Sequence, residues 1–161
     1  MDAHAIKEWS NALAPYVAFF TAFWAILTYR RAKKVEVARL QKQIFDDVYL
    51  SGRFGRIRHA LDLDFQAKIV PILVRIKEGR EGELGQEERA LLLELDDFLN
   101  LIEYVLYLEQ DKKLITAHDR EALLAYWIEL VGDTEHAALR DYLAYGYERL
   151  AKCVKSKDKP E

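Results

Sequence analysis

Between Trp9 and Tyr29 the chain carries no charge, and immediately beyond stand Arg30, Arg31, Lys33 and Lys34. The stretch reads WSNALAPYVAFFTAFWAILTY and the exit reads RRAKK. About 21 residues at 1.5 Å each give a helix of roughly 31 Å, the thickness of a bilayer hydrocarbon core. Apolar residues fall on every side of that helix, so its surroundings must be apolar on all sides, either lipid or a protein core. Trp9 and Tyr29 lie where interfacial aromatic belts form, and the basic cluster assigns the following chain to the cytoplasmic side. A cleaved signal peptide does not fit: the start, MDAHAIKE, lacks a positive n-region, and no small-residue cleavage site follows the apolar core. A second reading stays open. Pro15 shortens the strictly apolar run, residues 16–27, to about 12 residues, which suits the core helix of a soluble bundle.

Length and charge order the rest. The 161 residues allow one anchor and one small domain, with a remainder of roughly 120 residues able to bury a core. Residues 30–58 hold nine basic and three acidic side chains, a net +6. Residues 59–161 hold 14 basic and 22 acidic side chains, a net −8. Basic residues directly after a span suit an anionic inner leaflet, and the acidic remainder argues against broad nucleic-acid binding. A single cysteine, Cys153, excludes an intrachain disulfide and agrees with a cytosolic domain.

No repeat and no strand-like alternation is visible, so the chain is expected to be all-α. The expected layout is a short extracytoplasmic N-terminus (1–8), a transmembrane helix (9–29), a basic juxtamembrane helix (30–52), a cytoplasmic bundle of about four helices (53–152) and a charged tail (153–161). Val37, Leu40, Ile44 and Val48 form one apolar stripe on the juxtamembrane helix. Within the bundle the first helix covers about 53–77, with Phe54, Ile57, Leu61, Phe65, Ile69, Ile72 and Ile76 inward and a kink or split at Pro71. The glycine-rich stretch 78–86 is a loop. The next helix, about 87–109, has the broadest apolar face, including Leu91, Leu95, Phe98, Leu99 and Ile102. Another opens at Thr116 with Asp119 completing a capping box and ends at Gly132. The last is capped by Thr134 and runs through Leu150.

The search for chemistry finds no phosphate loop, no nucleophile elbow and no zinc-spaced Cys/His set. Glu-x-x-His, which di-iron bundles require, is absent, so no metal and no cofactor is expected. His118-Asp119 and Glu135-His136 are neighbours in sequence and point about 100° apart on a helix, so neither pair makes a site alone. Glu94, Asp96, Asp97 and Glu103 fall opposite the leucine face and read as a solvated surface. Six tyrosines between Tyr104 and Tyr147 suit a core or groove lining with wet hydroxyls. In the span, Ala14, Ala18 and Ala22 repeat every four residues beside Thr21, Ala25 and Thr28, a spacing that permits close helix approach and self-association in lipid.

The layout resembles a group of bacterial single-pass membrane proteins of unknown function, with one span, a Tyr29-Arg30 and Lys33-Lys34 exit, a long helix and a compact helical domain. The stretch LDDFLNLIEYVLYLEQDKKLITAHDREALLAYWIELV is also similar to that group's helical region. More distantly, the architecture is similar to the membrane accessory protein of Cas13b-type CRISPR systems, which joins one N-terminal span to a HEPN-like helical domain and assembles into a pore. HEPN-type RNases carry Arg-x4–6-His, and RFGRIRH places Arg53 and His59 at an Arg-x5-His spacing. Here Phe54 follows the arginine where those motifs have a polar residue, and the motif lies early in the domain. Two functions therefore stand as expectations. One is a non-enzymatic inner-membrane interaction or effector protein in antiviral defence, holding a protein partner or copies of itself at the bilayer. The alternative is a membrane-anchored HEPN-like ribonuclease that acts on RNA through Arg53 and His59.

Overall fold

The computed structural model describes residues 3–50 and 52–157, apart from the side chains of residues 3–12, 14, 134, 156 and 157. Every regular element among the described residues is helical. Helix α1 spans Ala3–Phe45 and passes directly into a π-helical turn, Asp46–Leu50. Pro15 lies inside α1. The chain divides into two compact units, residues 1–40 and residues 41–161.

In the first unit the described hydrophobic side chains are not buried. Every described side chain from Pro15 to Ile26 is exposed. Phe19, Phe20 and Trp24 are 67%, 66% and 69% exposed. The expectation of a core helix is therefore not met within this chain. Among the described residues, no helix is long and apolar enough to cross a membrane. Trp9 and Ala14, which the expected span and its small-residue face include, have side chains outside the described residues.

The second unit is a bundle of short helices around one long one. α2 (Gly55–Asp62) follows a 3-10 turn, Gly52–Phe54, and buries Ile57, Ala60 and Leu61. The helix expected over 53–77 is interrupted at Leu63 and Asp64, ahead of Pro71. A π-helical turn, Phe65–Ile69, then leads straight into α3 (Val70–Lys77). Pro71 thus occupies the first turn of α3, where no donor is needed, and the wider π turn before it relieves the clash of its ring. α3 ends on Gly79, at φ +72°. The Gly79 N–H donates to the Ile76 carbonyl at 3.0 Å and the Arg80 N–H to the Arg75 carbonyl at 2.8 Å. That pair of bonds is a Schellman motif, and its left-handed residue favours glycine.

α4 (Gln86–Gln110) is the long helix, and Leu95, Phe98, Leu99, Ile102, Val105 and Leu106 are at most 1% exposed. The leucine-rich face that the sequence predicts is the centre of the core, in contact with α2, α5 and α7. α5 (Ala117–Gly132) opens with the expected capping box: the Asp119 N–H donates to Thr116 Oγ1 at 3.2 Å, and the Thr116 N–H to Asp119 Oδ2 at 2.8 Å. The final helix is two. α6 (Ala137–Leu143) and α7 (Glu148–Lys157) are separated by a turn through Gly146. The side chain of Thr134, the expected cap, lies outside the described residues, and a 3-10 turn, Thr134–His136, precedes α6.

Candidate functional site

The first candidate surface is α1 itself. At 100° per residue, the side chains of Leu13, Val17, Phe20 and Trp24 fall on one side, and those of Phe19, Phe23 and Ile26 spread round to another. Ala18, Ala22 and Ala25, with Thr21 and Thr28, occupy the arc between them. The threonine hydroxyls are satisfied within the helix: Thr21 Oγ1 donates to the Val17 carbonyl at 2.7 Å and Thr28 Oγ1 to the Trp24 carbonyl at 2.9 Å. No polar side chain in this arc needs water for a partner. Tyr29, Arg30, Arg31, Lys33 and Lys34 follow, all exposed.

Arg53 and His59 have different partners. Arg53 Nη2 meets Asp97 Oδ2 at 3.3 Å, and its guanidinium stands over the Phe54 ring at 4.9 Å. His59 Nδ1 meets Asp64 Oδ2 at 3.4 Å. Asp64 also takes Lys68 at 2.7 Å, and these contacts, the lysine's first, hold its carboxyl below the usual range. The residue that shares a cleft with His59 is Arg56, together with Lys68, Glu87, Ile72 and Leu91, around a volume of about 530 Å³. Arg56 is also met by Glu94 at 3.0 Å. Cations and carboxylates balance there, and each of these exposed pairs is worth about 0–1 kcal/mol.

The acidic residues of α4 divide into two kinds, which the sequence pattern alone did not separate. Glu94 and Asp97 make the surface pairs just described. Asp96 and Glu103 are structural anchors. Both the Tyr142 and Tyr147 hydroxyls donate to Asp96 Oδ1, at 2.7 and 2.9 Å. Burial first, and then the Asp96 hydrogen bond, pushes both phenols well above their ordinary range. Glu103 Oε1 accepts the Arg149 N–H at 3.1 Å and Oε2 accepts the Leu150 N–H at 2.9 Å. These are donors of the first turn of α7, so a carboxylate on α4 caps a helix 46 residues away in sequence. Neither role carries a signal along the chain, because the partners lie about 46 to 51 residues away in sequence.

His136 is buried, 4.1 Å from the Phe65 ring centre, and its Nε2 lies 3.1 Å from the Leu61 carbonyl. A carbonyl only accepts, so Nε2 carries the proton. The residue ties the turn before α6 to the end of α2. Among the described residues, no group of three or more His, Cys, Asp or Glu side chains could hold a metal ion.

A second groove, of about 660 Å³, runs between α3, α6 and α7. Its floor is apolar, with Leu73, Leu143 and Val154 buried, and its edge carries Lys77, Lys155 and the 70% exposed Tyr145. Nothing along the chain marks this groove, because it forms only when the break at Gly146 folds α7 beside α6. No protein-family model, no curated protein and no solved structure matches the chain, so the family resemblance rests on the residues quoted for it.

Proposed function

We propose that this chain is a membrane-anchored interaction protein without catalytic activity. Residues 9–29 cross the bacterial inner membrane once, with the N-terminus outside, and the helical domain holds a protein partner or further copies of the chain at the cytoplasmic face. The observation that carries the reading is the exposed, uncharged surface of α1 between Leu13 and Ile26. Large apolar side chains there are half to two-thirds exposed, and each leaves roughly 1–2 kcal/mol of burial unrealised in water. A contiguous surface of this kind marks a contact with lipid or protein. Lipid is favoured by the absence of charge, by hydroxyls bonded within the helix, and by the basic cluster that follows. A protein contact through Ala18 and Ala22, extended to Ala14, suits assembly of the anchored helices. The membrane-anchored HEPN-like ribonuclease using Arg53 and His59 stays the second reading; within one chain these two residues are engaged by different carboxylates.

The test is alkaline carbonate extraction of membranes from cells expressing the full chain, with a reporter fused after Glu161. The protein should stay in the pellet until detergent is added, and the reporter should behave as cytoplasmic. Release by carbonate alone would refute the anchor, and a periplasmic reporter signal would refute the orientation.

A further inference from the structure

We infer that Arg30, Arg31, Lys33 and Lys34 form a collar on α1 that binds the phosphate groups of anionic phospholipids at the inner face of the membrane. The inference rests on the anchor proposed above and adds a lipid preference to it. Three observations carry it.

The first is that these cations are free. Among the described residues, none of the four side chains has an ion-pair partner, and all four are exposed. By contrast Arg53, Arg56, Arg75, Lys77 and Arg149 each meet a carboxylate. A cation already paired within the chain offers an incoming phosphate little net attraction, whereas an unpaired one offers all of it. Glu36 is the only acidic residue between Trp9 and Phe45. At 100° per residue it falls roughly 140° from the middle of the arc that the four cations occupy.

The second is their level along the helix. The four cations lie within residues 30–34, a rise of about 6 Å. The headgroup region of one leaflet is about 5–7 Å thick. Tyr29, the last uncharged residue before them, is 69% exposed. A helix that seats residues 9–29 in hydrocarbon therefore brings all four cations to the phosphate layer together. They cover an arc of roughly 160°, wide enough to meet more than one headgroup. The arginines can fork onto phosphate oxygens and the lysines act as point charges.

The third is continuity with the uncharged surface, and it selects the ligand. Phe20, Phe23, Trp24 and Ile26 stand exposed on the two turns before Arg30. A soluble anion or a nucleic acid would cover the cations and leave those side chains in water. A phospholipid covers both, acyl chains on the apolar residues and phosphate on the collar. A zwitterionic headgroup brings its own ammonium, which competes for its phosphate, so the collar favours anionic lipid.

The experiment reconstitutes the full-length chain, carrying Trp9→Phe, in vesicles of equimolar phosphatidylglycerol and phosphatidylcholine. Bromine on the acyl chains of one lipid or the other quenches Trp24, which lies six residues, about 9 Å, to the hydrocarbon side of Arg30. Trp127, 5% exposed, supplies a constant background. Quenching should report phosphatidylglycerol favoured at least about threefold at low salt, approaching parity at ~0.5 M sodium chloride. Arg30→Gln with Lys34→Gln should at least halve that preference, while helical circular dichroism stays unchanged, since both side chains are exposed and unpaired. Arg39→Gln, about 7.5 Å beyond Lys34 and equally unpaired, should leave the preference as it was. Inorganic phosphate at matched ionic strength should compete no better than chloride. Equal quenching by the two brominated lipids, or a loss from Arg39→Gln as large as from the double variant, would overturn the inference. Abolition of the preference by phosphate alone would reassign the collar to a soluble anion and overturn it too. Quenching of Trp24 by both lipids alike fails this inference and leaves the anchor standing, whereas no quenching by either lipid fails the anchor and the collar with it.

Discussion

Glu103→Ala removes the cap that α4 supplies to α7, and its cost can be worked from the contacts. Two backbone donors of α7's first turn, Arg149 and Leu150, lose their acceptor. The Arg149 guanidinium loses one bond at 3.1 Å but keeps Asp111 through Nε and Nη2, so no charge is stranded. Loss of an N-cap costs about 0.5–2 kcal/mol, and an anion at a helix N-terminus adds about 0.3–1 kcal/mol. The Glu103 side chain is only 15% exposed, so water replaces the lost acceptor poorly. The two ranges add to about 1–3 kcal/mol, poor water access places the cost in the upper part, roughly 2–3 kcal/mol, and Glu103→Gln, which keeps one oxygen, should lose about half of it. Hydrogen exchange on the detergent-solubilised full chain reads this directly. Protection of the Arg149 and Leu150 amides should drop about 30- to 150-fold in Glu103→Ala, since each 1.4 kcal/mol is a factor of ten. Glu94→Ala, which breaks one surface pair with Arg56, should change α7 by less than about twofold. Unchanged α7 protection in Glu103→Ala, or equal effects of the two substitutions, would refute the idea that an inter-helix carboxylate holds α7 in place.

Two further outcomes follow from burial. Leu95→Asp puts a carboxylate at a position 1% exposed and should cost several kcal/mol and abolish cooperative thermal unfolding, whereas Leu93→Asp, 67% exposed, should be nearly silent; similar melting curves for the two would mean that the α4 face is misassigned. Tyr142 and Tyr147 have folded pKa values raised above the unfolded value of about 10, so their contribution is full below pH ~10 and is lost as pH climbs toward the folded values. The urea midpoint should therefore fall steeply above pH ~10, and Tyr142→Phe with Tyr147→Phe should flatten that slope; an unchanged slope would sink the assignment.

Much of this architecture could be read along the chain. The all-α class, the apolar face of α4, and the capping box at Thr116 and Asp119 are local patterns, visible because helix period and cap chemistry involve residues a few positions apart. The uncharged run ending at Arg30 is equally local, and the exposure of Phe19, Phe20 and Trp24 matches a segment whose apolar residues go all round. Breaks were harder. Pro71 marked a disturbance, yet the chain turns at Leu63 and Asp64 and absorbs the proline in a π turn, because the packing of α2 and α3 on their neighbours decides where a helix yields. Charges were harder still. Glu94, Asp96, Asp97 and Glu103 look alike in sequence, and only the fold gives Asp96 two phenols and Glu103 two amides. The same holds for Arg53 and His59, whose spacing suggested a pair and whose partners, Asp97 and Asp64, are set by the packing of α2. What the sequence determined by itself was helix, polarity and the uncharged segment, because those depend on neighbours along the chain. What only the tertiary structure decided was which polar groups meet, because a carboxylate's role is fixed by the donors that folding brings within about 3 Å of it.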